Sequence, residues 1–374
     1  MLNAELADQF IRKLASCTPY NINIMDRSGT IIASKDRDRI GTVHEIAYDI
    51  ILHKKDVAEV EQTEDLLGVR SGINMAVHLK NEVVGVIGIT GKVEDVRPIA
   101  QIMKASFETM LEYEAEKEKK YQWQGLRNEF LKNLLYQDNV GQQQLQEAAI
   151  QLGYRYDVVR VPVIISPENP NEGKELLEQF RKEVIEAQDI LSLSPKQSVI
   201  LYKLMPDWLF RIHEDYRDLL REYLSNWMDR KIPQLKGCRV AVGIPQKALI
   251  NYRQNYLYCV WMLNHSTPGC PSYFIDHIDE YMKSKIPIVE LHKIYGIYME
   301  NLTDDFIKMF VKTMSILCEC NYNMGQASQK LNIHKNTLAF RLQKIRSVFN
   351  MNPMQNMRER AFLEYFLFYI QHRK

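Results

Sequence analysis

A chain of 374 residues is too long for one ordinary core and calls for two or three domains; 46% hydrophobic and 25% charged residues is ordinary globular composition. With 48 basic against 47 acidic residues there is no global charge bias, so any cationic surface has to be local. The longest apolar runs are strand-sized, which excludes a spanning helix.

Residues 2–16 place Leu6, Phe10 and Leu14 at helical spacing. Asparagines then alternate with Ile22 and Ile24, Arg27-Ser28-Gly29 turns, and residues 30–34 return, which predicts a hairpin. Residues 43–53 are expected to be helical. A second hairpin follows, with Ile73, Met75, Val77 and Leu79 alternating on one arm, a turn at Asn81-Glu82, and Val83 to Thr90 running back. Four strands with helices between them predict a small α+β sensor domain. A helix beginning near Val93 closes it and continues past a charged stretch, Glu112 to Lys120, to a second apolar stripe of Trp123, Leu126, Phe130 and Leu134. Such a helix joins domains and pairs with its own copy in a dimer, or serves as a solvated connector.

In the middle third, Val159, Val161, Val163 and Ile165 alternate as a strand. A helix over 174–188, a strand over 198–204, a helix over 212–230, a strand over 239–244, a helix over 247–264 and a last strand at 273–275 complete a second α/β domain. From Pro287 onward the pattern is almost wholly helical.

Cys320 to Arg358 contains no Asp or Glu, yet carries Lys330, Lys335, Arg341, Lys344, Arg346 and Arg358. Within it, residues 325–346 read as a short helix, a tight turn and a second, basic helix, the arrangement used to enter the DNA major groove. Ala327 is small where two helices must approach. Asn332 suits a left-handed turn conformation. Leu331, Ile333, Leu338, Leu342 and Ile345 are spaced to bury one face. That leaves His334, Lys335, Asn336, Thr337 and Arg341 near the start and outer face of the second helix as base-reading candidates, with Lys344 and Arg346 further along suited to phosphates. The plainer alternative is a helical hairpin with a solvated basic face.

In the first domain Arg39, Gly41, Thr42 and His44 cluster just before a predicted helix, where free N–H groups and the helix dipole attract carboxylates. Ser34 and Asn74 could hydrogen-bond hydroxyls or a second acid group, and Gly72, Gly85 and Gly88 suggest close backbone approach. The same residues admit simpler roles: His44 as a helix cap, Arg39 paired with Asp36 or Asp38, and glycines at bulges.

Other chemistries find no support. Six scattered cysteines form no C-x-x-C pair, and no zinc-like spacing surrounds Cys318 and Cys320. There is no H-E-x-x-H, no G-x-S-x-G elbow and no phosphate-loop lysine pattern. No metal, cofactor or catalysis is expected. The start, Met1-Leu2-Asn3-Ala4-Glu5, lacks a basic region followed by an apolar run, so no secretory signal and a cytoplasmic location are expected.

Residues 333–345 resemble the C-terminal helix-turn-helix of the purine-catabolism regulator type. The segments Asn21 to Ser34, Asp38 to Glu45, Ser71 to Asn74 and Gly85 to Gly91 follow, in order, the sugar diacid recognition domain. The whole chain is similar to the carbohydrate diacid regulators. That resemblance implies a bacterial transcriptional regulator, usually an activator of genes for glycerate, glucarate or galactarate use. It carries Ser34, Arg39, Gly41, His44, Gly72, Asn74 and Gly88 over as ligand residues, with Arg70 a second cationic candidate. The architecture it implies is multidomain α+β: a PAS-like sensor over 1–112, a helical linker over 113–137, a degenerate nucleotide-cyclase-like domain over 138–277, and an all-α helix-turn-helix region over 278–374. The middle segment lacks the Gly-Gly-Asp/Glu-Glu-Phe signature, and Asn251-Tyr252-Arg253 departs from the commoner family pattern there. Expected partners are double-stranded DNA, a small sugar diacid or glycerate, and a second copy of the chain. The competing reading is a protein-interaction module or enzyme that kept the architecture without DNA recognition.

Overall fold

The first hairpin is nucleated by one carboxylate. Asp26 Oδ1 accepts from the backbone N–H of Ser28 (2.9 Å) and of Thr30 (3.1 Å), while Gly29 takes the left-handed conformation (φ 76°) that closes the turn. In the computed structural model, which describes residues 2–61, 70–210, 216–231 and 237–373, the chain divides into two compact units, residues 1–132 and 133–374.

The first unit opens with α1 (Ala4–Leu14), capped by Asn3. β1 (Asn21–Met25), β2 (Ile31–Ser34), α2 (Glu45–His53), β3 (Val57–Val60), β4 (Gly72–Leu79) and β5 (Glu82–Thr90) follow, then α3 from Val93. The sheet order is β2-β1-β5-β4-β3, antiparallel throughout. Period-2 alternation sends Ile22, Ile24, Ile73, Met75, Val77, Ile87 and Ile89 to one face, against Phe10, Ile11, Val96, Met103 and Phe107 of α1 and α3. The opposite face carries Met25, Ile31, Ala76 and Val86 under Ala47 and Ile50 of α2. Five strands stand where the pattern predicted four. β3 is an edge strand, partly exposed along its length, so Val57-Ala-Glu-Val60 shows no core alternation. α3 runs unbroken to Leu135, 43 residues in all.

In the second unit, α4 (Gln142–Gln151) precedes β6 (Arg160–Ser166), α5 (Gly173–Gln179), β7 (Ile190–Leu193), β8 (Val199–Leu204), α6 (Tyr216–Lys231), β9 (Arg239–Val242), α7 (Tyr252–Leu263) and β10 (Pro271–Tyr273). The sheet order is β10-β9-β6-β8-β7, with only β9 and β10 parallel. Val161, Val163 and Ile165 face α5 and α6. On the other face Tyr202 stacks on Tyr252 of α7 at 4.4 Å. Lys203 is fully buried between Asp189 (3.3 Å) and Glu186 (2.7 Å), so its charge is balanced inside the protein.

Several boundaries differ from the sequence reading. The helix predicted over 174–188 is α-helical only to Gln179, passes into a π turn (Phe180–Val184) and stops, because Ile190 to Leu193 form the unforeseen strand β7. α7 begins at Tyr252, after a 3-10 turn, and β10 lies two residues earlier than expected. Residues 212–215 of the helix predicted over 212–230 fall outside the described residues.

The remainder is helical: α8 (Ile278–Ser284), α9 (Ile288–Glu300), α10 (Asp304–Glu319), α11 (Met324–Lys330), α12 (Lys335–Phe349) and α13 (Met357–His372). Their shared core joins Phe310, Met314 and Leu317 of α10 to Leu338, Ile345 and Phe349 of α12 and Leu363 and Phe366 of α13. The protein is thus a mixed α+β multidomain chain ending in a helical region. Among the described residues no helix is long and apolar enough to cross a membrane.

Candidate functional site

Four strands of the first sheet align one polar row. Ser34 on β2 pairs with Asn23 on β1, Asn23 with Gly88 on β5, and Gly88 with Asn74 on β4. Ser34, Asn23 and Asn74 are all buried, and buried polar side chains need partners. Ser34 Oγ donates to Asn23 Oδ1 (2.7 Å), and Asn21 Nδ2 donates to the same oxygen (3.1 Å). A Cβ on Gly88 would overlap Asn74 Oδ1, so the glycine makes room for that amide. The sheet face that is apolar beneath α2 therefore becomes polar beside it.

The loop between β2 and α2 brings cations to this row. The Asp36 N–H donates to Ser34 Oγ (3.1 Å) and to Asn21 Oδ1 (2.9 Å), and Asp36 Oδ2 lies 3.8 Å from Arg70 Nη1. Arg39 ends a short 3-10 turn; partial burial, then the charge of Arg70, lowers its pKa, while Asp36 pulls the other way. His44 heads α2 without a side-chain capping bond, and its Nδ1 is buried without a hydrogen-bond partner among the described residues. Burial, then Arg39, holds the His44 ring below its ordinary pKa of 6.5. The Arg39 guanidinium thus sits unfavourably near both Arg70 and the His44 ring, a setting that favours an anion nearby.

Of the sequence-derived ligand residues, the structure assembles Ser34, Asn74 and Gly88 in the row, and Arg39, His44 and Arg70 in the cationic cluster joined to it through Asp36. Gly41 and Gly72 act through backbone. Gly41 (φ 90°) folds the loop so that its N–H reaches Ile31 O (2.8 Å), and a Cβ on Gly72 would overlap the Ile89 carbonyl. Asn23 escaped the sequence reading. The Asn21-Ile-Asn-Ile24 alternation gives Asn23 no role, yet it is only 2% exposed.

The second site is the α11–α12 pair. Asn323 caps α11, and the turn is a Schellman closure: Ile333 N–H reaches Ser328 O and Asn332 N–H reaches Gln329 O, both at 3.0 Å. Asn332 holds φ 53°, the left-handed conformation expected of it. Ala327 is fully buried at the crossing. Leu331, Leu338 and Ile345 are buried and Ile333 and Leu342 partly so, as their spacing predicted. His334 accepts from the Asn336 N–H through Nδ1 (3.2 Å) and so caps α12.

His334, Lys335, Asn336, Thr337, Lys344 and Arg346 are exposed. Arg341 is placed differently: half-buried on the flank of α12, it donates from Nη1 to Thr313 Oγ1 of α10 (3.4 Å). Lys330 pairs with Glu319 (2.5 Å), just outside the acid-free stretch, so it adds little to the cationic surface.

A cavity of about 670 Å³ opens elsewhere, lined by residues of α7, α8, α10 and α13. Several of its polar groups pair with one another: Lys283 with Asp279 (2.6 Å) and Glu364 (3.8 Å), Tyr322 donating to Glu364 (2.9 Å), and the Arg360 guanidinium over the Tyr322 ring. That internal balance makes it a poorer acceptor for a dianion than the Arg39 cluster.

A buried polar row edged by cations stands in the same chain as a basic helix-turn-helix, the arrangement of a transcriptional regulator with a separate sensing domain. Comparison with known proteins agrees. Residues 2–134 match the family described as "Putative sugar diacid recognition", and residues 310–365 match the PucR C-terminal helix-turn-helix domain. The chain carries both of these domains and is similar along most of its length to the carbohydrate diacid regulators. It is 27% identical over 366 residues to the carbohydrate diacid regulator of Escherichia coli, covering 92% of each chain. It is 23% identical to an uncharacterized protein of Haemophilus influenzae over 93% and 94% of the two chains. Among solved structures, a regulator of polyketide synthase expression from Bifidobacterium adolescentis aligns with 66% of this chain and 94% of its own, at 12% identity and a TM-score of 0.30.

Proposed function

We propose that this transcriptional regulator binds a sugar diacid or glycerate in its first domain and, as a homodimer in the cytoplasm, activates genes for using that acid. In this reading Arg39 and Arg70 grip a carboxylate while Ser34, Asn74 and His44 hold hydroxyls or the second acid group, and Gly41, Gly72 and Gly88 shape the pocket. Lys335, Asn336 and Thr337, with the capping His334, meet base edges. Lys344 and Arg346 meet phosphates, and Arg341 steadies α12 against α10. The domain limits 1–112, 113–137, 138–277 and 278–374 belong to the same proposal, with a PAS-like sensor and a degenerate cyclase-like scaffold without catalysis. The β2-β1-β5-β4-β3 order supports the former. Exposure of Tyr113, Tyr121, Trp123 and Leu126 along α3 supports pairing through that helix.

One observation carries the DNA reading: Lys335, Asn336 and Thr337 stand exposed in the first turn of a helix whose opposite face is locked into the core. Gel-shift titrations of the full chain at several salt concentrations test it. A preferred sequence is expected, with log affinity falling linearly in log salt as phosphate contacts release counterions. Equal weak binding to every duplex, unaffected by Asn336→Ala, would sink the reading.

A further inference from the structure

One side chain on the outward face of α12 is out of character with its neighbours. Phe340 is 67% exposed and, among the described residues, joins none of the ring contacts that tie Phe306, Phe310, Phe349 and Phe366 together. Leu338, Ile345 and Phe349 define the buried side of the helix. At 3.6 residues per turn, Phe340 lies within about 20° of the direction opposite to them. Asn336 and Thr337 stand one turn before it, Gln343 and Lys344 one turn after, and all four are exposed. A lone aromatic ring therefore sits at the centre of a polar, cationic surface.

We propose that Phe340 is a specificity residue of the DNA interface, its ring packing against thymine C5-methyl groups in the major groove. This rests on the reading of α12 as the DNA-reading helix and goes beyond it by naming a base. A hydrated phenylalanine forgoes the free energy of burial, so the ring gains free energy wherever it meets an apolar group. The surrounding amide, hydroxyl and ammonium groups call for a polar, anionic one. The major groove supplies both, because its floor is hydrogen-bonding base edges and its one apolar group is the thymine methyl. A hydrophobic protein patch would satisfy the ring and strand its four neighbours. Asn336, the adenine-reading type, lies four residues earlier, about 6 Å along the helix axis. With about 3.4 Å per base pair along a strand, the thymine that Phe340 touches falls within about two base pairs of the position Asn336 reads.

The test uses the full chain. Selection from random duplexes gives the preferred site, and each thymine in it is replaced singly by deoxyuridine, which removes only the C5 methyl. Affinities of the parent, Phe340→Leu and Phe340→Ala are then measured at one salt concentration. Burial of one methyl corresponds to about a fourfold change in affinity. The parent should lose about that factor at one or two thymines per half-site. Phe340→Ala should bind the thymine duplex more weakly and be indifferent to deoxyuridine there, with Phe340→Leu between the two. Because the ring is exposed, thermal melting of all three proteins should coincide.

Identical deoxyuridine profiles for parent and Phe340→Ala, both still preferring the selected site, would overturn the assignment and leave the DNA reading intact. Phe340→Ala binding the thymine duplex as tightly as the parent would overturn it too. If the parent selects no sequence at all, the DNA reading fails and this inference falls with it.

Discussion

Replacing Arg39 by glutamine should separate ligand binding from folding. In the free protein the Arg39 charge is disfavoured by partial burial and by Arg70, with Asp36 only partly offsetting them. A charge that the fold disfavours adds no stability, so the variant should melt at the same temperature as the parent or higher. The bound state is the opposite case, because an anion among Arg39, His44 and Arg70 turns their mutual repulsion into attraction. Hydrogen bonds to charged groups contribute about 1.5–3 kcal/mol. Arg39 is only partly buried, which favours the lower part of that range, so the dissociation constant should rise about ten- to thirtyfold. Ligand at 100 times the parent's Kd stabilises the parent by about 2.7 kcal/mol; a thirtyfold weaker variant retains about 0.9 kcal/mol at that concentration. Calorimetric titration with glucarate, galactarate and glycerate, followed by thermal scans with the tightest binder, reads both effects. Equal ligand-induced shifts in the two proteins would remove Arg39 from the site. A destabilised variant with unchanged affinity would make it a structural residue.

His44 supplies a pH signature. Its native pKa lies below 6.5, so its contribution to stability is present above that pH and is lost as pH falls. The urea midpoint of the free protein should therefore drop more steeply between pH 7 and about pH 5.5 than that of His44→Gln; parallel curves would refute this. Bound dianion should reverse the effect, raising the His44 pKa, so affinity should increase on acidification with proton uptake. Two glycines of the proposed site should behave differently. Gly88→Ala crowds only the movable Asn74 amide and should weaken ligand binding with little unfolding, whereas Gly72→Ala meets the fixed Ile89 carbonyl and should cost about 1–3 kcal/mol in a denaturant titration. In the last domain, replacing the exposed phosphate candidate, Arg346→Ala, should leave stability within about 0.5 kcal/mol and lower the salt slope of DNA binding by about one. Leu338→Ala, by contrast, should destabilise by about 2–5 kcal/mol, because Leu338 is fully buried.

The helix-turn-helix was legible because several local rules converged on the same residues. Ala327 at the crossing, Asn332 at the left-handed turn and the spacing of Leu331, Leu338 and Ile345 are each set by sequence-local geometry. The role of Arg341 was not legible: its partner, Thr313, lies 28 residues away on α10, and only the tertiary packing brings them together. Phe340 was overlooked because an aromatic residue inside a helix reads as core until the wheel is fixed by the neighbours it packs on. In the sensor, the hairpins followed from period-2 alternation, but β3 did not, since an exposed edge strand has no buried face to leave a pattern. Asn23 illustrates the same limit. Alternation separates two faces without saying that the polar one is covered, and only the register Ser34–Asn23–Gly88–Asn74 shows four strands building one buried row. β7 was hidden because Asp189 to Leu193 follow a helix that breaks early, at a π turn which the apolar spacing does not announce.

Thermodynamic linkage makes control of DNA affinity by a small acid measurable from both sides. If the acid changes the Kd for the selected duplex by some factor, the duplex must change the Kd for the acid by the same factor. Both constants should be measured for the full chain in one buffer, each with and without the other partner at saturation. The shared factor should lie well away from one, on the order of five- to 150-fold. Two tight but independent binding events, with a factor of one in both directions, would show that the acid and the DNA ignore each other and would contradict the account.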